Sequence, residues 1–261
     1  MKNKRLAIFL SIFVGLALVI VLTSAIFALD SVSITYHSQT NILTGDEKII
    51  IESAGFRYGE NVFLSNKSNY ISKIESANPY IRVLNIETKF PNKYIIHAVE
   101  REETYVFKTD NYYIVTDESL KVLDKQKTFA NSEQNGIVVE NSAYSTATVK
   151  ECEFLGKNEY YAQIFKCFGE WKATQNAKPD YEQIKAKIKS ITVNYVDGLN
   201  SGENNLLITM WDGVEILIDA STTKMSDKIN FGFSAYESLE TNPNRITVFE
   251  NANGDIVGVY K

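Results

Sequence analysis

The sequence predicts an α+β protein: an apolar N-terminal helix, a small α+β domain, and a larger β-rich domain with flanking helices. Three observations carry that reading. A 24-residue uncharged run, Leu6 to Leu29, follows a short basic tail. Between Ser31 and Arg101 the apolar period passes from two, to helical, and back to two. From Glu102 onward, short segments rich in isoleucine, valine and tyrosine alternate with turn residues.

Composition narrows the function classes. The chain is 44% hydrophobic and 23% charged, as folded proteins usually are, and 261 residues suffice for one or two domains. Its formal net charge is -5, and once Lys2, Lys4 and Arg5 are set aside, 24 basic residues face 32 acidic ones. That acidic balance argues against nucleic acid as a partner. Cys152 and Cys167 could form a disulfide outside the membrane, but a single pair also reads as two buried thiols.

The elements follow in chain order. At about 1.5 Å per residue, the run 6–29 is long enough for a hydrocarbon core of about 30 Å. Lys2, Lys4 and Arg5 before it and Asp30 after it place the N-terminus in the cytoplasm and the bulk outside. A cleaved signal peptide is the alternative, with Thr23-Ser24-Ala25 as a cleavage site. Signal cores are usually about 7–15 residues, so length favours a retained anchor. The bilayer is thus an expected partner through residues 6–29.

Ser31 to His37 alternates as a strand. Thr44-Gly45-Asp46-Glu47 reads as a capping box that opens a helix closing near Gly55, a favoured left-handed terminator. Lys67 to Ala77 forms a second helix with Tyr70, Ile71, Ile74 and Ala77 on one stripe. Pro79 stops it, and two strands, Tyr80 to Lys89 and Tyr94 to Arg101, join through Phe90-Pro91-Asn92-Lys93.

Beyond Glu102, strands are expected over Thr104 to Lys108, Tyr112 to Thr116 and Leu120 to Leu123, with Lys125 to Gln134 as a loop. Ile137 to Val139 and Thr146 to Phe154 are weaker strand candidates. Helical spacing marks Glu159 to Ala173 and Asp180 to Lys187, before a strand over Ser190 to Tyr195. Leu206 to Met210 and Val214 to Ile218 read as a hairpin around Trp211-Asp212-Gly213. A helix over Ser226 to Leu239 precedes a last hairpin, Arg245 to Glu250 with Asp255 to Tyr260.

The ordered set Pro79, Ile81, Val83, Ile86, Pro91, Ile96 and Val99-Glu100-Arg101, then Tyr112 to Asp117 and Val122-Leu123, resembles the FtsQ/DivIB family of bacterial cell-division proteins. Gly55 with Gly59-Glu60-Asn61-Val62-Phe63 is similar to that family's link between two helices. Glu118-Ser119 departs from it, where many relatives place a turn glycine. The resemblance implies a POTRA domain over 30–102, two helices packed on a three-stranded sheet, followed by a β-domain over 103–261. It also implies a non-enzymatic divisome scaffold in the cell membrane at the septum. Its β-domain would bind FtsB/DivIC-like and FtsL-like partners and so help control septal peptidoglycan synthesis.

No constellation in the sequence carries catalysis. Ser221-Thr222-Thr223-Lys224 fits the S-x-x-K of penicillin-binding proteins, yet no K-T-G element exists. His37 and His97, the two histidines, belong to no triad motif and read as structural. Asp197 to Glu203 offers oxygen ligands without calcium-loop spacing and reads as a solvated loop. Glu100-Arg101-Glu102-Glu103 reads as the solvated end of a strand. The expectations are therefore no catalytic residue, no metal, no cofactor and no small-molecule substrate. The rival reading is a membrane-anchored cell-wall hydrolase or transferase.

The candidate partner-binding residues are Asp255, Ile256, Val257, Gly258, Val259 and Tyr260. As the last strand of the chain, they could leave a sheet edge unpaired, and an unpaired edge is a template for strand addition. In this reading Tyr260 is the aromatic anchor and Gly258 permits close backbone approach. Ile256, Gly258 and Tyr260 face one way, Val257 and Val259 the other.

Overall fold

The computed structural model describes residues 12–15, 24–37, 46–130, 136–140, 144, 149–155, 164–168, 187–197, 200–219, 224–239 and 243–261. It divides into two compact units, Met1–Arg101 and Glu102–Lys261. Among the described residues no helix is long and apolar enough to cross a membrane. Much of the expected span 6–29 lies outside them, with 12–15 and 24–26 described as helical. At the other end of that run, Leu29 is buried in the core of the first unit. Its N–H donates to the carbonyl of Glu60, and Val62 N–H donates to Phe27. The apolar run therefore overlaps the folded unit by three residues, because Phe27 to Leu29 pair with the 59–62 turn.

In the first unit, β1 (Ser31–Tyr36), α1 (Glu47–Ala54), α2 (Lys67–Ala77), β2 (Ile81–Lys89) and β3 (Lys93–Glu100) make a sheet of order β1-β3-β2. The central β3 is parallel to β1 and antiparallel to β2. Ile50, Ala54, Tyr70 and Ile74 from the helices pack against Ile81, Val83 and Ile86 of β2 and Tyr94, Ile96 and Ala98 of β3. Asp46 caps α1, accepting from Lys48 N–H at 2.9 Å. Glu47 Oε1 accepts from Ile34 N–H of β1. Thr44 lies outside the described residues. Gly55 ends α1 at φ 62°, the left-handed conformation that a side chain would disfavour.

The charge run Glu100 to Glu103 is not uniformly solvated. Arg101 is 7% exposed, and its Nη2 donates to Glu75 Oε2 at 3.2 Å. Glu75 Oε1 in turn accepts from Val83 N–H at 2.8 Å. One carboxylate thus ties the end of α2 to the outer strand and to the last residue of the unit.

The second unit is a mixed nine-stranded sheet. It comprises β4 (Tyr105–Lys108), β5 (Tyr113–Thr116), β6 (Val122–Gln126), β7 (Ile137–Glu140), β8 (Ile188–Asp197), β9 (Asn200–Met210), β10 (Glu215–Ile218), β11 (Arg245–Glu250) and β12 (Ile256–Tyr260). Their order is β12-β11-β10-β9-β8-β7-β4-β5-β6. β6 runs to Gln126, into the segment expected as a loop, and β9 starts at Asn200. Within the expected loop Asp197 to Glu203, Asp197 ends β8 and pairs with Asn200, which opens β9; residues 198–199 lie outside the description. Thr146 to Phe154 supplies only an isolated bridge, Phe154 to Lys121, among the described residues. Of the two helices expected between β7 and β8, residues 164–168 of the first are described as helical, and of the second, Asp180 to Lys187, all but Lys187 lie outside the description. Cys152 is half-buried and Cys167 buried, and no disulfide joins them.

The last helix, α3 (Met225–Ser238), crosses between two parallel strands, β10 and β11. Met225, Ile229, Phe233 and Ala235 join the same core as Ile164, Phe165 and Phe168, over Ile208, Ile216, Ile246 and Val248 of the sheet. Gly232 makes the close crossing possible. A Cβ there would lie 2.7 Å from Ile216 Cγ2, so any side chain would lift the helix from β10.

At the helix C-terminus, Tyr236 donates to Asp212 Oδ2 in the β9–β10 turn at 2.7 Å. Burial, then the Asp212 carboxylate, pushes the Tyr236 hydroxyl up to about 12, against an ordinary 10.0. Since the folded value is the higher, this contribution is fully present below pH 10 and is lost as pH climbs towards 12. The Tyr236→Phe variant should show a shallower alkaline fall in melting temperature than the parent between those limits. Parallel alkaline profiles would show that the contact contributes nothing.

Candidate functional site

β12 is the end strand of the nine-stranded sheet, bonded on one side to β11. Its register fixes which peptide groups are used. Arg245 and Lys261 exchange both backbone bonds, at 3.1 and 2.9 Å, and Asn251 N–H donates to Asp255. Bonded and unbonded pairs alternate in an antiparallel ladder, so Val257 and Val259 point their amides at Phe249 and Thr247. The amides and carbonyls of Ile256, Gly258 and Tyr260 therefore point away from β11, along the outer edge. Among the described residues no strand pairs with that edge.

The side chains sort by the same alternation. Ile256 packs against the main core, and a Cβ on Gly258 would lie 2.7 Å from the Phe231 ring of α3. Ile256, Gly258 and Tyr260 thus face the helix layer, and Val257 and Val259 the opposite side. The small size of Gly258 serves an internal contact: it leaves room for Phe231, where the sequence reading assigned that room to a partner's backbone. Val259 and Tyr260 are both exposed. Asp255, the first of the candidate residues, sits in the turn and donates its N–H to Asn251 Oδ1.

Two lysines of α3 hold this end of the sheet. Lys224, at φ 55°, donates to the Gly254 carbonyl at 2.5 Å and to Glu250 Oε1 at 3.2 Å, bracing the β11–β12 turn. Lys228 is 0% exposed, with Nζ 2.5 Å from Asp219 Oδ1 just beyond β10. The sequence reading singled out neither for this role, and only the S-x-x-K match drew notice to Lys224. Ser221, Thr222 and Thr223 of that match lie outside the described residues.

The far edge differs. The approach to β6 is occupied by the chain itself: Val122 N–H donates to Glu153, Cys152 N–H to Val122, and Leu155 N–H to Leu120. Lys125 Nζ also donates to the Val149 carbonyl at 3.0 Å. One edge is partly closed by a returning segment; the other presents a row of amides that no described strand pairs with.

The comparisons with known proteins follow the same division of the chain. Residues 39–101 match the model of the POTRA domain, FtsQ-type. A cell division protein DivIB of Clostridium botulinum is 32% identical over 133 residues, half of each chain. Through its FtsQ-type POTRA segment, the chain is similar to the FtsQ/DivIB family. Proteins of the same name from Clostridium tetani and Clostridium acetobutylicum are 35% identical over 82 residues and 26% identical over 100. The matches span about half the length of the first of these FtsQ/DivIB relatives, and about a third and two fifths of the others.

The two histidines, which share no motif, do meet. His37 Nε2 and His97 Nδ1 are 2.8 Å apart, and His97 Nε2 is 2.9 Å from Glu87 Oε2. They line the open face of the three-stranded sheet because Thr35 pairs with His97 across β1 and β3. No group of three metal-ligating side chains converges among the described residues. Parallel pairing of distant strands brought these rings together, and no spacing rule in the sequence could have shown it.

Proposed function

We propose that this chain is a non-enzymatic, single-pass membrane scaffold of the bacterial division machinery, acting at the septum. Residues 6–29 anchor it, with the N-terminus inside and both folded units outside. A segment of a DivIC-like partner, held together with an FtsL-like protein, adds as a tenth strand to β12. Through that complex the chain helps to control septal peptidoglycan synthesis.

The observation that carries this reading is the unpaired outer edge of β12, with the amides of Ile256, Gly258 and Tyr260 aimed outward. Main-chain bonds to such an edge supply affinity, and the alternating side chains supply selectivity. Val257 and Val259 would meet the partner on one face, with Tyr260 as the aromatic anchor on the other. The match to an FtsQ-type POTRA domain and the cell-division names of the similar proteins support the division role.

Proline at Gly258 is a poor test, since its ring carbons would strike Phe231. Tyr260 is better placed: its amide faces outward and its side chain is exposed. Tyr260→Ala removes the ring alone, whereas Tyr260→Pro removes the ring and one outward donor. In a titration of the full chain with its DivIC-like partner, Tyr260→Pro should bind about tenfold more weakly than Tyr260→Ala, the scale of one lost, desolvated hydrogen bond. Equal affinities for the two variants would place the partner elsewhere.

A further inference from the structure

An aromatic cluster stands where the apolar run enters the first unit. Phe27 lies between Phe63, at 5.1 Å edge-on, and Phe90, at 5.5 Å. Phe27 is within the run itself, and its backbone is bonded to Val62, beside Phe63. Phe63 is 61% exposed, Leu64 81% and Phe90 72%. The turn that carries Phe90 is tied to the same place, because Asp30 N–H donates to Asn92. Phe63 and Phe90 are thus exposed against Phe27, two residues from the end of a 24-residue uncharged segment, with the exposed Leu64 following Phe63.

A contiguous exposed patch of this kind marks a surface that is normally covered. On the same turns cations outnumber acids, three to two. Arg57, Lys89 and Lys93 are exposed beside the cluster. Of the nearby acids, Glu60 accepts from the Tyr70 hydroxyl at 3.1 Å, and Asp30 is exposed. Aromatic rings at headgroup depth, flanked by cations that meet lipid phosphates, are the pattern of a bilayer interface.

We propose that Phe63, Leu64 and Phe90 seat the first unit on the outer surface of the membrane, at the level of the headgroups. This rests on the reading of residues 6–29 as a retained anchor. The seat fixes the distance of the unit from the bilayer: the turns 57–64 and 89–93 lie in the interface. α2 starts beside it, with its Asn66 cap two residues after Leu64.

The test uses the full chain reconstituted in vesicles of zwitterionic and anionic phospholipid, with bromine near the headgroup end of the acyl chains. Single tryptophans are introduced by Leu64→Trp, by Val14→Trp within the apolar run, and by Ser76→Trp near the far end of α2. The signal of the parent chain, from Trp171 and Trp211, is subtracted. Leu64 and Ser76 are both exposed, so neither change burdens the fold. Ser76 lies about 15 Å along the helix from Asn66. The expected result is quenching of the position 14 and position 64 reporters, by about half or more for groups within the bromine layer, with position 76 unaffected. Quenching at 14 without quenching at 64 overturns the seat and leaves the anchor standing. Loss of quenching at 14 overturns the anchor, and the seat with it. Equal quenching at 64 and 76 overturns the seat by showing non-specific adsorption.

Discussion

Ile74→Asp should unfold the first unit while the second stays intact. Ile74 is 0% exposed on α2, in the core formed with Ile50, Tyr94 and Ile96. The substitution removes a buried aliphatic group, costing about 2–5 kcal/mol as for truncation to alanine. It also places a carboxylate where no cation is provided, adding several kcal/mol unless the group is protonated. The sum, about 5 kcal/mol or more, reaches the whole stability of a small domain. The readout is amide hydrogen exchange on the full chain. Protection over Ile81–Glu100 should vanish in Ile74→Asp, while protection over Leu206–Ile218 remains. Ile74→Val, which deletes one methylene, should cost only about 1 kcal/mol and keep both sets protected. Retained protection in the aspartate variant would show that α2 does not hold the sheet.

The pair Lys228–Asp219 should respond asymmetrically to its two deletions. Lys228 is 0% exposed, whereas the Asp219 side chain is 37% exposed, so one partner is dry and the other reaches water. Removing the carboxylate by Asp219→Ala strips an ammonium in the interior of its counter-charge, at a cost of about 3 kcal/mol, the low end for a broken buried pair. Removing the ammonium by Lys228→Met leaves a carboxylate that water can solvate, in a site refilled by a side chain of similar volume. That change should cost about 1 kcal/mol or less. For a unit of this size, the first variant should melt about 6–12 °C lower and the second within about 4 °C of the parent. Calorimetry of the second transition distinguishes them. The double variant should recover most of the loss; a double variant as unstable as Asp219→Ala would assign the cost to other contacts of Asp219.

Most elements of the first unit could be read from the chain because their signals are local. Pro79, Gly55 and the period-two stretches around Ile96 mark their own boundaries, and the strands end within a residue or two of the expected limits. What escaped was set by pairing. Asn200 to Asn205 contains poor strand formers, yet it lies in β9 because β8 supplies a partner. β10 and β11 read as halves of two separate hairpins. In the fold they are parallel neighbours beneath α3, a relation no periodicity encodes. Lys228 interrupts an apolar helix face, and its burial depends on Asp219, outside the helix.

The unequal edges of the large sheet also bear on how copies of this protein meet one another. Endless stacking requires two complementary surfaces on each molecule, one to give and one to receive. The start of β6 is already occupied by the chain's own residues 152–155, and its pairing with β5 is broken by a register shift at Val115 and Thr116. Such a bent, partly filled border is a poor acceptor for a flat strand. Among the described residues, strand pairing between copies of this sheet is therefore favoured as β12 to β12, a symmetric contact that engages both outer edges at once and ends at a pair.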